Sequence, residues 1–347
     1  MNRWRLLACA ALLGVQARAQ LPRARLLYRQ PGLSLRALQA CPKGVVWTSG
    51  SRGQVGRSLD SGLHWSWMHP AGNDSLDFRS LWAFDAQRAL VASAGTPAAI
   101  YGTRDGGVHW KRLYFSRDPR VFLDGMCFWN PRQGIVLGDP VGGRFLELRS
   151  RDGGWHWKAA PERRRPRAAA GEAFFAASNG FLKALAGGRI LAVSGGSRAR
   201  LLEGSRHGRH WTFRNLPLLQ GSPGSGAFGL DLSGTGALVV VGGDYLKPDS
   251  RRGTAATAPS PDSALRPARE MPLGYRSCVR MLADRIAVSC GTSGVDLSSD
   301  GGLHWKQYLR QGYQVMGVSP EGRYLYLAGA DGRIARVSLK LLRSAAF

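Results

Sequence analysis

The sequence predicts an all-β protein, a single seven-bladed β-propeller of four-stranded antiparallel blades. Three observations predict it: a turn motif recurs at the period of one blade, a β-rich run precedes each motif, and no stretch between them has a helical hydrophobic pattern long enough to predict a helix. The chain has 347 residues, of which 44% are hydrophobic and 11 are tryptophans, so it can bury a large core. We place the propeller at residues 20–347.

The segment 1–19 has the pattern of a secretory signal peptide. Two arginines within Met1–Arg5 precede the apolar run Leu6–Val15, and residues 17–19 (ARA) form a small-x-small cleavage site. The run is too short for a mature membrane anchor, so we expect an exported protein, periplasmic or secreted, without stable membrane insertion. A net charge of +25 favours an anionic partner, but export argues against nucleic acid.

The recurring turn motif reads S/T-x-D-x-G-x-x-W, and its copies are about one blade apart, except that the last copy follows the degenerate one after about two periods. The first three aspartates, Asp60, Asp105 and Asp152, are separated by 45 and 47 residues, a period typical of propellers. The copies lie at 58–65, 103–110, 150–157, 205–211 (degenerate) and 298–305. Their defining residues are Ser58, Asp60, Gly62, Trp65, Thr103, Asp105, Gly107, Trp110, Ser150, Asp152, Gly154, Trp157, Trp211, Ser298, Asp300, Gly302 and Trp305.

The chemistry of this motif is that of a turn rather than of a catalytic unit. Its aspartate can accept backbone N–H bonds inside the turn, its glycine allows positive φ, and its tryptophan can pack between sheets. The histidine before each tryptophan invites a metal hypothesis, but these histidines fall on separate blades. We therefore predict no metal and no cofactor; the histidines are His64, His109, His156, His210 and His304.

Seven β-rich runs ending in small residues mark the blades, and they begin at Val45, Ala89, Gly134, Ile190, Ala237, Ile286 and Leu325. The last unit lacks a fourth strand, which Ala24–Gln30 (ARLLYRQ) can supply, and this closure would remove an open sheet edge. In blade five the Pro/Ser/Arg-rich residues 246–270 are expected to form an irregular loop.

A binding site is expected on the face opposite the turn motifs, around the mouth of the central channel. Internal alignment places Arg36, Arg79 and Arg276 just before strand one of their blades, with Asp124 and Glu172 there in blades three and four. Arginine forks suit carboxylate or phosphate groups; an internal salt-bridge ring is the alternative. The candidate set is Arg36, Arg79, Asp124, Asp139, Glu172, Arg198, Asp244, Tyr245, Arg276 and Asp296.

Two cysteines are expected to face each other in blade six. Cys278 and Cys290 are each six residues from Asp284, at the centre of a tight hairpin turn. Cross-strand partners at this spacing can form a disulfide or remain packed thiols, and both alternatives stay open.

The motif is the Asp-box of BNR repeats, and the chain resembles propellers related to photosystem II stability/assembly factors. The resemblance is carried by LDFRSLWAFD, FLDGMCFWN, GIVLGDP, VVVGGDY, GYRSCV and SCGTSGVDLSSDGG. It implies a non-enzymatic, exported binding or scaffold propeller that recognises an anionic or protein partner through an arginine-rich channel-mouth face. The expected partner is a protein, in a membrane-associated complex; carbohydrate stays open, and a monomer is expected.

The alternative is a sialidase-like glycoside hydrolase or a related carbohydrate-active enzyme. The three aligned arginines, with Asp124, Glu172 and Tyr313, could imitate the arginine triad, acids and tyrosine of a sialidase. However, the x-R-I-P segment of sialidases is absent, since no Arg-Ile pair is followed by proline. We therefore assign no catalytic residue.

Overall fold

The computed structural model describes residues 23–70, 72 and 75–345, which form seven antiparallel sheets around a central channel. The predicted seven-bladed propeller is confirmed; the predicted signal peptide lies outside the described residues. The strands of each blade are given from the inner to the outer one. Blade 1 contains Leu35–Ala40, Val46–Gly50, Val55–Ser58 and Ser66–Met68, and blade 2 contains Asp77–Ala83, Ala89–Ala94, Ala98–Thr103 and Lys111–Ser116. Blade 3 contains Leu123–Phe128, Gly134–Val141, Arg144–Ser150 and Lys158–Ala159, and blade 4 contains Leu182–Ala184, Ile190–Val193, Arg200–Ser205 and His210–Asn215.

The remaining blades follow the same order, except that blade 5 has two additional short strands and blade 7 takes its outer strand from the N-terminal end of the described residues. Blade 5 contains Ser225–Leu232, Leu238–Asp244, Ala255–Ala258 and Arg266–Pro267, and its inner edge is extended by Gly195–Gly196 and Glu172–Ala173; blade 6 contains Cys278–Met281, Ala287–Gly291, Gly294–Ser298 and Lys306–Leu309; blade 7 contains Val315–Val318, Tyr324–Ala328, Ile334–Ser338 and Arg25–Tyr28. The short 3-10 turns Glu162–Arg164 and Ala186–Gly188 and the helix Leu339–Ala345 complete the secondary structure. None of the described helices has the length and apolar character needed to cross a membrane.

Closure by the N-terminal strand is confirmed. Arg25–Tyr28 pairs antiparallel with Ile334–Ser338, with Leu26 opposite Ala335. The first described strand thus becomes the outer strand of the last blade and covers an edge that would otherwise be open.

The core lies between adjacent sheets, because each blade packs both faces against its neighbours. All residues of Val46–Gly50 and Leu238–Asp244, which are second strands, are buried. The outer strand Lys158–Ala159 is exposed. A strand covered on both faces selects the continuous apolar runs that mark the blades in the sequence.

Blade 5 is more regular than the sequence predicts. The stretch 246–270, expected to be an irregular loop, contains the third strand Ala255–Ala258 and a two-residue fourth strand, Arg266–Pro267. The third strand is built from alanines and one threonine, so it lacks the branched and aromatic residues that signal a strand. It forms because Val239–Val241 of the neighbouring strand pairs with it in continuous register.

Candidate functional site

A cavity of about 560 Å³ lies where the inner strands begin. The Asp-box turns join third and fourth strands, so in antiparallel blades they lie on the opposite face. The cavity is lined by Arg36, Arg79, Phe122, Asp124, Asp139, Ala173, Phe174, Phe175, Ala176, Ala177, Pro223, Phe228, Tyr245, Tyr275, Thr292 and Gln314. Five of the ten candidate binding residues therefore meet here, namely Arg36, Arg79, Asp124, Asp139 and Tyr245.

A repeated β-bulge places side chains in this cavity. In blades 1, 2, 3 and 5 the pairing of the inner strand skips one residue, which is Arg36, Arg79, Asp124 and Phe228 respectively. A bulge re-aims the residue that it leaves unpaired. All four skipped residues line the cavity, so the bulge explains why these blades present side chains at the channel mouth.

The two cavity arginines differ in their partners. Arg79 donates through Nε to Asp77 Oδ2 at 2.7 Å. Arg36 donates through Nε to Ser34 Oγ at 3.1 Å, and no carboxylate of the described residues lies within ion-pairing distance of it. Burial, and then the positive charge of Arg79, lower the pKa of Arg36. The cavity therefore contains one guanidinium without an anionic partner.

The two carboxyl groups of the cavity, those of Asp124 and Asp139, are shielded from water and influence each other's ionisation. Asp124 is 1% exposed, and neither of its carboxyl oxygens has a hydrogen-bond partner of good geometry among the described residues, although the backbone amides of Ala176 and Asp139 lie close enough to oppose the rise in its pKa. Burial, and then Asp139, raise the pKa of Asp124 well above its usual range. Burial also raises the pKa of Asp139 to about 6, although the Phe174 amide donates to its Oδ1 at 3.1 Å. This environment favours a shared proton.

An aromatic wall covers the other side of the cavity, contributed by the region before blade 4 and by blades 5 and 6. Phe175 and Phe228 stack with ring centroids 4.0 Å apart, and Tyr275 meets Phe228 edge-on at 4.8 Å. Tyr245 is 47% exposed at the rim. Of these four residues the sequence indicated only Tyr245; the position of Tyr275 beside the misaligned Arg276 was the one available signal.

Arg276 does not line the cavity, which corrects the internal alignment by one residue. Gln39 of blade 1 and Arg280 of blade 6 both line a second cavity further along the channel. Gln39 lies three residues after Arg36, so the residue of blade 6 that is equivalent to Arg36 lies three residues before Arg280 and is Ser277. A slip of one residue turns a strand side chain to the other face. Arg276 is instead fully buried in an ion pair with Asp296, which is also absent from the cavity lining.

Glu172 is also an internal ion-pair partner rather than a cavity residue. It pairs with Arg200 and accepts a hydrogen bond from Ser194 Oγ at 2.5 Å. It lies in the two-residue strand that joins blade 5, ten residues before the true inner strand of blade 4 at Leu182. The inserted chain between these positions is why the alignment misplaced it.

Two further candidates lie outside the cavity lining, and Tyr313, of the sialidase-like set, does too. Arg198 is exposed. Asp244 is buried and its Oδ1 accepts the Leu246 amide at 2.9 Å, which is a turn contact. Tyr313 is buried in the apolar core of blades 6 and 7. The alternative prediction, that the charged residues form internal salt bridges, therefore holds for Glu172 and Arg276, whereas Arg36 has no carboxylate partner among the described residues.

Asn179 closes the channel below the cavity. Its Oδ1 accepts hydrogen bonds from Ser80 Oγ and the Met126 amide, each at 2.8 Å, and its Nδ2 donates to the Leu81 and Met126 carbonyls at 3.2 Å. Its φ of 55° is in the left-handed region, which asparagine tolerates better than most residues. One side chain therefore ties blades 2 and 3 to the segment that enters blade 4.

The Asp-box turns make the same serine or threonine, aspartate and histidine contacts in all four intact copies, whereas the tryptophan contact is absent from the third copy, where Trp157 Nε1 is buried without a hydrogen-bond partner among the described residues. In the first, Ser58 Oγ accepts the Gly62 amide at 2.8 Å, and Asp60 Oδ1 accepts the His64 amide at 2.9 Å. The His64 ring Nδ1 lies 2.6 Å from Asp60 Oδ2, and Trp65 Nε1 donates to the Gly62 carbonyl. Each histidine is thus held by the aspartate of its own turn.

The degenerate fifth turn keeps the tryptophan but changes its partner. Trp211 Nε1 donates to Glu147 Oε2 at 3.3 Å instead of to a carbonyl in its own turn. His207, which stands where the other copies have aspartate, meets the Trp129 ring edge-on at 5.1 Å.

The cysteines of blade 6 are cross-strand partners and free thiols. Cys278 lies directly opposite Cys290, as the hairpin spacing predicts, and both are buried without a disulfide between them. The contact with Cys290, outweighing burial, lowers the pKa of Cys278, whereas burial raises that of Cys290.

A second basic surface lies on the outer side of blades 3 and 4. A groove of about 870 Å³ separates the segment after the outer strand of blade 3 from the outer strand of blade 4. No acidic residue lines it, and the lining includes Arg144, Arg163, Arg164, Arg165, Arg167, Arg206 and Arg209. Seven of the chain's 48 lysines and arginines are therefore gathered in one groove away from the channel.

The fold and the site together define a class: a seven-bladed propeller with a small charged and aromatic cavity at the channel mouth. Among solved structures, it is similar to YCF48 from Cyanidioschyzon merolae (TM-score 0.66, 16% identity, 91% of this chain and 99% of that one). It is also similar to YCF48 bound to D1 peptide (TM-score 0.63, 14% identity, 92% and 99%). The resemblance to photosystem II assembly-factor propellers is thereby confirmed at the level of the fold.

An enzyme fold is among the similar structures as well. The GH74 xyloglucanase from Xanthomonas campestris has a TM-score of 0.63 and 17% identity over 92% of this chain, but only 54% of that chain is covered. No family model and no curated protein matches the sequence. Identities this low establish the architecture and leave the activity to be argued from the site.

Proposed function

We propose that the chain is a non-enzymatic binding propeller that recognises a protein partner through its channel-mouth face. The observation that carries this proposal is Arg36, a half-buried guanidinium that lines an open cavity without a carboxylate partner among the described residues. A buried cation without its counter-charge is costly to fold, and an anionic group of a partner would relieve that cost. The aromatic rim supplies apolar contact area beside it.

The structural comparisons support a protein as the partner. A propeller that matches this chain over 92% of its length was solved with a peptide bound. We infer a comparable role in assembling or stabilising a membrane-associated complex. The segment 1–19 is proposed to direct export, and N-terminal sequencing of the mature protein should begin at Gln20.

Photo-cross-linking in the producing cell tests the binding role. A photoreactive phenylalanine at Tyr245, on the rim of the cavity, should give adducts with a defined partner. The same probe at Val108, which is 73% exposed on a turn of the opposite face, is the control. Arg36→Gln should reduce the Tyr245 adducts at least tenfold; equal adducts from both positions, or none from Tyr245, would contradict the proposal.

A carbohydrate-active enzyme is the second candidate, because Asp124 and Asp139 form an acid pair in the cavity. Paired carboxyl groups with separated pKa values are the machinery of glycoside hydrolysis. Release of reducing ends from xyloglucan and sialyl-oligosaccharides, abolished by Asp124→Asn, would establish it. Absence of release with either substrate class favours the binding role.

A further inference from the structure

The groove on the outer side of blades 3 and 4 gathers seven arginines, and none of them forms an ion pair with a carboxylate of the described residues. The carboxylates of Glu147, Glu172 and Glu203 are paired with arginines outside the groove. Glu162, although next to Arg163 in the chain, does not line it. Like charges held together repel one another in the free protein, so the groove favours an anionic occupant.

One wall of the groove, residues 163–167, is fixed against blade 3 by hydrogen bonds. The Phe145 amide donates to the Pro166 carbonyl at 2.9 Å. Arg144 donates through Nη1 to the Arg165 carbonyl at 2.8 Å. The arginines of this wall therefore project from an ordered backbone, and a ligand that pairs with them does not have to order the segment first.

The degenerate fifth Asp-box turn supplies Arg206 and Arg209 to the same groove. Of the five copies of the motif it is the one with a histidine, His207, in place of the aspartate. The His207 amide donates to the Gly188 carbonyl at 2.7 Å, so the turn is held without the carboxylate. The change removes the negative charge that an intact turn would place between two arginines of the lining.

The other wall is the outer strand of blade 4, His210–Asn215, which presents aromatic rings to the groove. Alternation along the strand places Trp211 and Phe213 on one face, and both line the groove. Phe213 is 42% exposed, although the Arg200 guanidinium lies over its ring at 4.4 Å. An exposed ring among arginines offers a stacking surface beside the positive charges.

We propose that this groove binds a linear acidic polysaccharide. Carboxylate or sulfate groups of the polymer pair with the arginine forks, and the apolar face of a sugar ring stacks on Phe213. A flat lipid surface fits a concave groove poorly, and the expected export of the chain argues against nucleic acid. The groove is separate from the channel mouth, so this site does not depend on the binding role proposed there.

Isothermal titration calorimetry with polygalacturonate and with heparin tests the inference, since the first polymer carries carboxylates and the second also carries sulfates. We expect saturable binding of at least one of them, weakening as salt is added, because a bound polyanion releases counterions. Methyl-esterified polygalacturonate keeps the sugar rings without the charges, and poly-L-glutamate keeps carboxylates without the rings. Each should bind at least tenfold more weakly than the acidic polysaccharide. These comparisons use the unmodified protein.

Variants then assign the contacts. Arg164→Gln/Arg206→Gln, with one change in each arginine-bearing part of the groove, should weaken polysaccharide binding at least tenfold. Arg104→Gln/Arg132→Gln removes the same charge from exposed positions outside the groove and is the matched control, which should bind normally. Phe213→Leu should weaken binding of the polysaccharide and leave that of poly-L-glutamate unchanged.

Three results would overturn the proposal. The first is no saturable binding of either acidic polysaccharide. The second is an equal loss of binding in the two double variants. The third is binding of poly-L-glutamate or of single-stranded DNA as tight as that of the polysaccharide, which would assign the groove to another class of polyanion. Loss of the partner adducts at Tyr245 would leave the proposal standing.

Discussion

At the scale of single residues, ionic groups of similar type serve opposite purposes in this propeller. Arg276 and Asp296 are fully buried and paired with each other. Arg36 is half-buried and lines the channel-mouth cavity, where no carboxylate of the described residues lies within ion-pairing distance of it. Paired internal charges hold the blades, and unpaired ones are available to a ligand.

Removing one partner of the buried pair should destabilise the fold. We expect Arg276→Leu to lower the free energy of unfolding by about 3–5 kcal/mol, because it leaves Asp296 buried without a counter-charge. Thermal or urea unfolding measures this loss. The double variant Arg276→Leu/Asp296→Leu should recover much of it; a single variant as stable as the parent would contradict the assignment.

The Asp-box carboxylates should make stability depend on acid pH. Burial alone would raise the pKa of Asp60, but the amide and ring of His64 and the Ser58 hydroxyl outweigh it and lower the pKa to about 2. An unfolded aspartate titrates near pH ~3.9, so this contribution is full above about pH 4 and is lost as the pH falls through 2.

Asp60→Asn removes the charge but keeps the shape of the turn. Its stability curve should fall less steeply than that of the parent protein between about pH 4 and 2. Urea unfolding followed by tryptophan fluorescence at several pH values gives the comparison. Parallel curves for the two proteins would show that the turn does not hold the ionised carboxylate.

At the scale of elements, the inner strands hold both the cavity residues and Asn179, the side chain that closes the channel and is called the plug below. The bulges in blades 1, 2, 3 and 5 aim one residue of each into the cavity. Just below, Asn179 ties blades 2 and 3 together through its side-chain amide. Rigid strands on both sides of the channel therefore hold the cavity residues in place.

Replacing the plug should cost several hydrogen bonds at once. Asn179→Ala leaves the Met126 amide and two carbonyls without their partner and should lower the free energy of unfolding by about 2–4 kcal/mol. Asn179→Gly keeps access to the positive φ, so the difference between the two variants isolates the backbone contribution. Denaturant unfolding of both variants measures these costs, and two near-neutral variants would be inconsistent with a plug.

The sequence predicts periodic elements well and irregular ones poorly. Blade number and closure follow from repeated runs and from the strand Arg25–Tyr28, because these depend on local patterns. Bulges are not encoded in a simple pattern, so the alignment placed Arg276 where Ser277 belongs. The inserted chain before Leu182 is not visible in the repeat pattern either, so the alignment also misplaced Glu172. The aromatic wall escaped prediction because Phe175 and Phe228 look like ordinary core residues in the sequence.

At the scale of the whole molecule, positive charge is divided between two faces. The channel mouth is balanced by its carboxyl groups, whereas the groove between blades 3 and 4 has no acidic residue in its lining. Screening by salt acts strongly on exposed charges and weakly on buried ones. Binding at the two surfaces should therefore respond differently to ionic strength.

Retention on a heparin column tests this division of charge. Arg164→Glu/Arg206→Glu should elute at clearly lower salt than the parent protein, since it reverses two charges of the groove. Arg36→Gln should elute almost unchanged, because it removes a single half-buried guanidinium that lies outside the groove. The opposite order of elution would place the dominant basic surface at the channel mouth.

The central claim is that the turn motifs hold the blades and that the channel mouth on the other face binds. Asp300→Ala and Arg36→Gln, each carrying the photoreactive probe at Tyr245, test it most directly when adduct yield and melting temperature are measured together. The account predicts a lower melting temperature with normal adducts for Asp300→Ala, and adducts lost at a melting temperature no lower than that of the parent protein for Arg36→Gln. The reverse pattern would contradict it.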